Sequence, residues 1–284
     1  MVLSRQTFFS LVLVLLIAAS SVLAMQYGRR GRGSGYDARS GVPMWEVDRN
    51  FDRDVFTFAR VQYSDGYGYG RSGRGGWGRG GRWSTDYPDS DLNFSLRLQQ
   101  LTSLKVNPEP VTVQLTDQTL FDYPFLYMIE PGNLLFSDEE VVALRKYCLN
   151  GGFMMVDDFW GEDEWLNFAL EMKRVFPEKD PQDVPLEHEI FHCVYDLKEK
   201  PQVPSIHAFY GGGSYENRYG SDTSHANYRA IYDDAGRMMV FICHNTDLGD
   251  GWEREGENHE YFQEYAVKKS YPLGINIVTY AMSH

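Results

Sequence analysis

The segment FMMVDD (residues 153–158) is a short, unbroken apolar run that ends in two adjacent carboxylates. It follows SDEEVVALRKYCLNGG (137–152), where Ser137 can cap a helix, acids fill the first turn and Gly151 can end the helix. Fully apolar runs of this length are typical of strands that are buried on both faces of a parallel sheet. The two segments together predict a helix that leads into a central strand of an α/β fold.

The same alternation continues along the chain. Further strands are predicted at VFTFARVQY, VTVQL (111–115), FLYMIE (125–130), IFHCVYDL, IHAFY, YRAIYDD and MMVFICHN. Further helices are predicted in LNFSLRLQQLTSL with Asp89, Ser90 or Asp91 as its cap, at 162–175, at 257–269 and from Pro272 onward. Strands that alternate with helices predict an α/β fold with a mainly parallel sheet.

The N-terminus predicts an exported protein. Arg5 precedes an apolar run at 8–19 that is shorter than the roughly 20 residues of a spanning helix, and small residues lead to a cleavage site after Ala24. We therefore predict a signal peptide at 1–24, a periplasmic or extracellular location and no membrane span after cleavage. An uncleaved N-terminal anchor is the alternative.

The mature chain is predicted to contain one domain. Residues 25–54 are a Gly/Arg-rich, flexible lead-in, and residues 55–284 form a single α/β domain with a Gly/Arg-rich loop at 64–83. Although RGG-like segments can bind single-stranded nucleic acid, a formal charge of −13 and a pI near 5.0 argue against that partner. The loop could instead grip an anionic or sugar ligand, or be a low-complexity insertion.

Polar and aromatic residues follow several of the predicted strands. In an open parallel sheet, ligands bind beyond the carboxyl ends of the strands, at a topological switch point. The sequence therefore predicts a ligand-binding edge. Its candidate residues are Trp83, Asp86, Asp157, Asp158, Trp160, His244, Asn245, Asp247, Asp250 and Trp252. No cofactor is predicted.

The aspartates of this edge have two interpretations. Asp157, Asp158, Asp247 and Asp250, with His244, could bind a cation, with Asp158, His244 and Asp247 as a smaller ligand set. Otherwise they form turns and helix caps, for instance Asp158 or Asp163 at the helix that begins near 162. Because neighbouring residues of a strand point to opposite faces, Asp157 and Asp158 are expected to have different roles, one facing the crevice and the other capping the next helix or anchoring the turn.

Two patterns suggest catalysis but lack the required context. HEIFH (188–192) matches H-E-x-x-H, which binds zinc only from a helix, whereas Pro185 and the strand-like residues after it disfavour a helix here. Cys243 stands beside His244, yet no glycine flanks it as a nucleophile elbow requires. Neither a zinc peptidase nor covalent catalysis is therefore expected.

Several segments together resemble one bacterial family, the domain of unknown function 4159. They are VFTFARVQY, WSTDYPDSDLNF, FDYPFLYMIEPG, LRKYCLNGGFMMVDDFWG, HEIFH, GRMMVFICHNTDLGDGWE and YPLGINIVTYAMSH. The family is similar to the class I glutamine amidotransferase-like group, so the resemblance implies a flavodoxin-like three-layer sandwich from about Val55 to the C-terminus. The cysteine elbow of amidotransferases has no counterpart here, and relatives more often read H-P-x-F-H at the HEIFH position.

These observations predict a non-catalytic, exported domain that binds a small ligand or an envelope protein at the carboxyl edge of its sheet. The alternative is a metal-assisted hydrolase of the cell envelope, with Asp157, Asp158, His244 and Asp247 around a cation. A purely structural subunit of an envelope assembly is a third possibility.

Overall fold

The computed structural model describes residues 39–47, 54–64, 81–218 and 220–284. The predicted signal peptide, most of the lead-in and most of the Gly/Arg-rich loop lie outside these residues. Within them, every helix is too short or too polar to cross a bilayer.

A seven-stranded sheet forms the centre of the domain. Its strands are β1 (Ala59–Val61), β2 (Val111–Val113), β3 (Phe125–Ile129), β4 (Phe153–Phe159), β5 (Gln182–Asp183), β6 (Asn227–Tyr232) and β7 (Met238–His244). Their spatial order is β2-β1-β3-β4-β7-β6-β5. The first five of these are parallel, and β6 and β5 continue the sheet in antiparallel pairing. The predicted α/β fold with a mainly parallel sheet is confirmed.

Helices connect the strands. They are α1 (Asp89–Leu101), α2 (Asp138–Leu149), α3 (Gly161–Val175), α4 (Ile206–Tyr210), α5 (Leu248–Glu253), α6 (His259–Tyr261) and α7 (Tyr271–Ser283). A π-helical segment, Phe262–Ser270, joins α6 to α7. The two helices that the sequence predicts on either side of Pro272 are therefore one continuous helical rod.

The strand β4 is buried on both faces, as its apolar sequence predicts. Met154 and Val156 lie in a core cluster with residues of α2 and α3. Phe153 and Met155 lie in a second cluster with residues of α1, α5 and α7. Helices therefore cover both faces of the sheet, and its strand ends form the edge on which the candidate residues meet.

Helix capping follows the sequence in one place and departs from it in two. Ser137 and Glu140 form a capping box at α2, as predicted for Ser137. At α1 the cap position is Pro88, and the predicted cap Asp91 instead pairs with a buried arginine. At α3, neither Asp158 nor Asp163 caps the helix, because the N-cap position is Trp160 and the first free N–H groups, of Gly161 and Glu162, donate to Asn245 and Ser221.

Two predicted strands in the second half are wrong. IFHCVYDL contains a 3-10 turn, Glu189–Phe191, whose Ile190 and Phe191 are fully buried, and the ring of Phe191 packs on Tyr228 of β6 and Phe241 of β7. IHAFY is helix α4, since the hydroxyl of Ser205 accepts from the Ala208 N–H and this cap outweighs the β-preference of the sequence. Both histidines of HEIFH have local partners, His188 bonding the Ile190 N–H and His192 lying 2.7 Å from Asp196.

Candidate functional site

Four residues at the carboxyl edge of the sheet have a left-handed backbone that non-glycine residues seldom adopt. They are Asp86 (φ 60°), Glu130 (φ 48°), Asp158 (φ 55°) and Asn245 (φ 59°). Asp86 follows β1, Glu130 follows β3, Asp158 lies near the end of β4 and Asn245 follows β7. Each such conformation costs about 1 kcal/mol or more and is concentrated at functional sites in proteins. Four neighbouring strand ends therefore carry strain at one edge.

Asp157 is completely buried and accepts hydrogen bonds from the backbone of α5. Its Oδ2 accepts hydrogen bonds from the Tyr127 hydroxyl and from the N–H groups of Leu248 and Gly249, each at 3.0 Å. Its Oδ1 is buried without a hydrogen-bond partner. Burial raises the pKa of Asp157 to about 7, against the opposing effect of these hydrogen bonds. The carboxylate thus caps a helix about 90 residues away in the sequence and not the helix that follows it.

Asp158 faces the other way. The pairing of β4 with β7 shifts register between Val156 and Phe159, where Asp158 takes its left-handed conformation. Its Oδ1 accepts from the indole N–H of Trp160 at 2.9 Å. Burial, and then the nearby carboxylate of Glu130, raise its pKa well above the ordinary value. The two adjacent aspartates therefore have separate partners, and the left-handed backbone of Asp158 interrupts the regular alternation of the strand there.

Three carboxylates converge beside Asp158. One oxygen each of Asp86, Asp250 and Glu253 lies within 4.8 Å of the other two, and we call this group the carboxylate triad. Asp250 and Glu253 are three positions apart on α5 and so share one face of that helix. Asp86 reaches them because residue 249 is a glycine: a Cβ there would lie 2.9 Å from Asp86 Oδ2 and 2.8 Å from the Tyr127 hydroxyl oxygen.

The members of the triad differ in their hydrogen bonding. Asp250 Oδ1 accepts from Arg254 Nε at 2.9 Å, and Asp250 Oδ2 accepts from the Ile206 N–H. Glu253 Oε2 lies 2.5 Å from the same Arg254 Nε but outside hydrogen-bonding geometry, and it is buried. Asp86 Oδ2 is buried without any hydrogen-bond partner. Two of the three carboxylates therefore have an unsatisfied, buried oxygen.

Mutual repulsion and burial shape the protonation of this edge. Burial, followed by Asp250 and Glu253, raises the pKa of Asp86 well above its ordinary value. Burial likewise raises the pKa of Glu253 to about 7, although Arg254 opposes the shift. Burial, followed by the carboxylate of Asp158, also raises the pKa of Asp247 well above its ordinary value. This edge therefore contains more carboxylates than the neighbouring cationic groups can balance.

His244 lies apart from these acids. Its Nε2 is 3.0 Å from the carbonyl oxygen of Gly161, and its Nδ1 is 3.5 Å from the Arg229 guanidinium, an arrangement that a neutral imidazole satisfies. The ring packs against Phe159 and Trp165. Burial lowers the pKa of His244 to about 4. Among the described residues, the group able to share a cation is the carboxylate triad, so Asp158, His244 and Asp247 do not form the smaller ligand set.

The other candidates divide between positioning and packing. Asp247 caps α5 through a bond from the Asp250 N–H to its Oδ1, at 2.8 Å. Asn245 accepts from the Gly161 N–H and donates to carbonyls of a surface loop. Trp252 is fully buried against Phe94 and is a core residue, so its assignment to ligand contact does not fit. Trp83 is half-buried at the start of the loop that carries Asp86.

The candidate nucleophile is also a core residue. Cys243 lies within β7, is fully buried and belongs to the core cluster on the α1 side of the sheet. His244 packs on Phe159 of the opposite cluster. Burial raises the pKa of the Cys243 thiol well above its ordinary value. Thiol and imidazole therefore face opposite sides of the sheet.

Two acids of the edge are absent from the candidate residues that the sequence suggests. Glu253 completes the triad, and Glu130 is buried next to Arg82 and Thr85, which lie 3.0 and 3.2 Å from its carboxylate oxygens. Burial raises the pKa of Glu130 to about 8. Glu253 stands three residues after Asp250 in a helical segment, and Glu130 ends a predicted strand, so both signals were present in the sequence.

Comparison with known proteins places the chain in a family. A search of curated proteins gave no match at a significant level. The sequence profile of the family described as domain of unknown function (DUF4159) matches residues 57–282. This match covers β1 to all but the last residue of α7, including every strand end described above. The chain therefore belongs to the family of domain of unknown function 4159.

Proposed function

We propose that this chain is an exported, non-catalytic binding domain that takes up a positively charged ligand at the carboxyl edge of its sheet. The observation that carries the proposal is the excess of buried carboxylates there. The acids are Asp86, Asp158, Asp247, Asp250 and Glu253. Arg254 contacts two of them, and the charge of Arg60 is already shared with Asp91. Buried charge without a counterion is unfavourable, and a cationic ligand would supply one.

The sheet topology supports this position for the ligand. The connection from β1 leads to β2 on one side, whereas the connection from β3 leads to β4 on the other side. Such a reversal is a topological switch point, beyond which open α/β sheets bind ligands. Asp86 follows β1 and Glu130 follows β3, so the acids flank this reversal.

The same topology supports the finer fold assignment. Numbered in chain order, the five parallel strands have the spatial order 2-1-3-4-5, which is that of flavodoxin-like folds. We therefore propose the flavodoxin-like, class I glutamine amidotransferase-like group for this domain. An experimental structure in which these five strands take another order would exclude it.

Export rests on the N-terminal sequence. If residues 1–24 are a signal peptide, the mature protein recovered outside the cytoplasm should begin at Met25. N-terminal sequencing of the protein from a fractionated bacterial host tests this. Recovery of the full-length chain in the cytoplasm would contradict it.

The binding function is tested by thermal unfolding of metal-free protein with charged probes. Glucosamine and spermidine should raise the Tm, whereas N-acetylglucosamine and glucuronate should not. The Asp158→Asn variant should lose most of this response, and Asp138→Asn, at an exposed surface acid, should keep it. The proposal is wrong if neither these amines nor a divalent cation raises the Tm, or if both variants respond as the wild type does.

A metal-assisted hydrolase remains the second candidate, because of Glu130. This residue is 6% exposed, has a left-handed backbone and is the carboxylate that most affects Asp158. A carboxyl group with a pKa of about 8 can donate a proton near neutral pH. Hydrolysis of p-nitrophenyl acetate or phosphate by the wild type with Mg²⁺, lost in Glu130→Gln, would favour the hydrolase over the binding domain.

A further inference from the structure

We infer that the positively charged ligand is a divalent metal ion and that Asp86, Asp250 and Glu253 bind it; this inference rests on the proposed function of the edge. The mutual distances fit a shared ion. Oxygen ligands lie about 2.0–2.6 Å from Mg²⁺ or Ca²⁺, so two oxygens on one ion are separated by no more than about 5 Å. The three oxygens of the triad lie within 4.8 Å of one another.

A second observation is the unpaired carboxylate of Asp86. Its Oδ2 is buried, has no hydrogen-bond partner and lies 2.9 Å from the position that a Cβ on Gly249 of α5 would occupy. Nearly all buried polar groups in proteins have a partner, so a buried carboxylate oxygen without one requires an explanation. Asp86 also has a strained backbone. The position of this carboxylate is therefore unfavourable both in backbone conformation and in the burial of an unpaired oxygen.

The local charge balance fits a divalent ion. When an ion is bound and all three carboxylates are ionised, they contribute three negative charges and the guanidinium of Arg254 one positive charge, which gives the ligand group a net charge of −2. Arg254 also fixes the orientation of Asp250 and Glu253 on α5. The oxygens that it contacts each have a second lone pair that is available to an ion.

The ligand set favours hard cations. All three groups are carboxylates, which suit Mg²⁺, Ca²⁺ or Mn²⁺. The imidazole of His244, which would favour Zn²⁺, is hydrogen-bonded to Gly161 and lies against Arg229. The chemistry of the triad therefore selects oxygen-binding divalent ions.

The inference is tested by calorimetric titration of chelator-treated protein with Mg²⁺, Ca²⁺ and Mn²⁺ at physiological ionic strength. At least one ion should bind with one-to-one stoichiometry. Asp86→Asn and Glu253→Gln should each weaken binding about tenfold or more, because ligand charge sets the affinity of such sites. Glu216→Gln is the matched control, since it removes a partly buried acid that faces Arg218 at the same edge. Its affinity should stay within about threefold of the wild type.

Both triad variants keep the shape of the side chain, and their folding is checked by circular dichroism. If Asp86→Asn does not fold, Glu253→Gln carries the test. Absence of stoichiometric binding by all three ions, or an equal loss in Glu216→Gln, would overturn the inference. If glucosamine or spermidine still raises the Tm while none of the ions binds, the metal assignment alone is wrong. If neither the amines nor the ions bind, the proposed binding function fails as well.

Discussion

Two charged groups lie close together near the carboxyl end of β1, namely the pair of Arg60 in β1 with Asp91 in α1 and the carboxylate triad, and only the pair is balanced. Arg60 is fully buried and uses all of its donors. Its Nε lies 3.1 and 3.0 Å from the oxygens of Asp91, and Nη2 reaches Asp91 and Ser90. Its Nη1 donates to the carbonyls of Trp83 and Thr85. The guanidinium of this ion pair has no unused hydrogen-bond donor, and the pair fixes the loop that precedes α1.

The neighbouring carboxylate triad shows the opposite arrangement. Asp86 is the residue after Thr85, yet its buried Oδ2 has no partner, and the acids around it repel one another. A buried charge therefore does not mark a site by itself, because Arg60 and Asp91 are even more completely buried than Asp86 and yet form a balanced pair. The unbalanced charge distinguishes the triad from the structural pair.

The largest expected effect separates these two groups directly. Asp91→Asn leaves the buried guanidinium of Arg60 without its counterion and should lower the free energy of unfolding by about 3–5 kcal/mol. Asp86→Asn removes repulsion and should leave that free energy unchanged or raise it in metal-free buffer. Urea unfolding of both variants in EDTA measures the difference. Equal destabilisation would show that Asp86 belongs to the structural network.

A second test addresses how the triad is assembled. Gly249→Ala would bring a Cβ to 2.9 Å from Asp86 Oδ2. We expect this variant to lose about 1–3 kcal/mol of stability and also to lose divalent-ion binding. Gly251→Ala is the matched control on the same helix, where the Cβ would meet Ser270 instead, at 2.6 Å. It should be destabilised similarly but retain ion binding. Chemical unfolding and calorimetry on the two variants test this, and retained binding in Gly249→Ala would contradict the role of the close approach.

The sequence predicts the fold best where local signals agree. The capping box and apolar run around β4 specify α2 and the central strand correctly, because helix signals and burial point to the same structure. IHAFY reads as a strand but is helix α4, since β-propensity reflects packing as much as backbone preference. The capping hydroxyl of Ser205 indicates the helix more reliably than the β-propensity of the residues that follow it.

The candidate site is predictable only in outline. The strand-end rule brings Asp86, Asp158 and Asp250 to one edge. It does not say which carboxylates meet, because the Asp86–Asp250 approach joins residues 164 positions apart (250 − 86) and depends on the missing side chain at Gly249. It also groups His244 with the acids, whereas that ring turns toward the α3 side of β7.

The pH dependence of stability should reflect the unbalanced edge. Glu130 and Asp157 have pKa values of about 8 and about 7 in the folded chain, above their ordinary values of 4.5 and 3.8. The folded state therefore binds these protons more tightly than the unfolded state, so stability is greatest below pH 4 to 5 for these groups and falls as the pH rises to 7 or 8. Each group contributes up to about 1.4 kcal/mol per pH unit.

Urea unfolding of metal-free protein at pH 5, 6, 7 and 8 measures this slope. Glu130→Gln should make the slope shallower, whereas Asp138→Asn, at an exposed acid, should not alter it. Stability that rises steadily from pH 5 to pH 8 would contradict the assignment of raised pKa values to Glu130 and Asp157.

The smallest expected effect concerns His244, which is buried beside the edge but balanced by its own partners. Glutamine can keep a donor near the Gly161 carbonyl, so His244→Gln should cost only about 0.5–1.5 kcal/mol of stability. Because the imidazole does not share a ligand position with the triad, divalent-ion affinity should change by no more than about twofold. Calorimetric titration of this variant beside Glu253→Gln compares the two at one edge. If His244→Gln weakens ion binding as strongly as Glu253→Gln does, the histidine belongs to the site, and the contrast between balanced and unbalanced groups must be redrawn to include it.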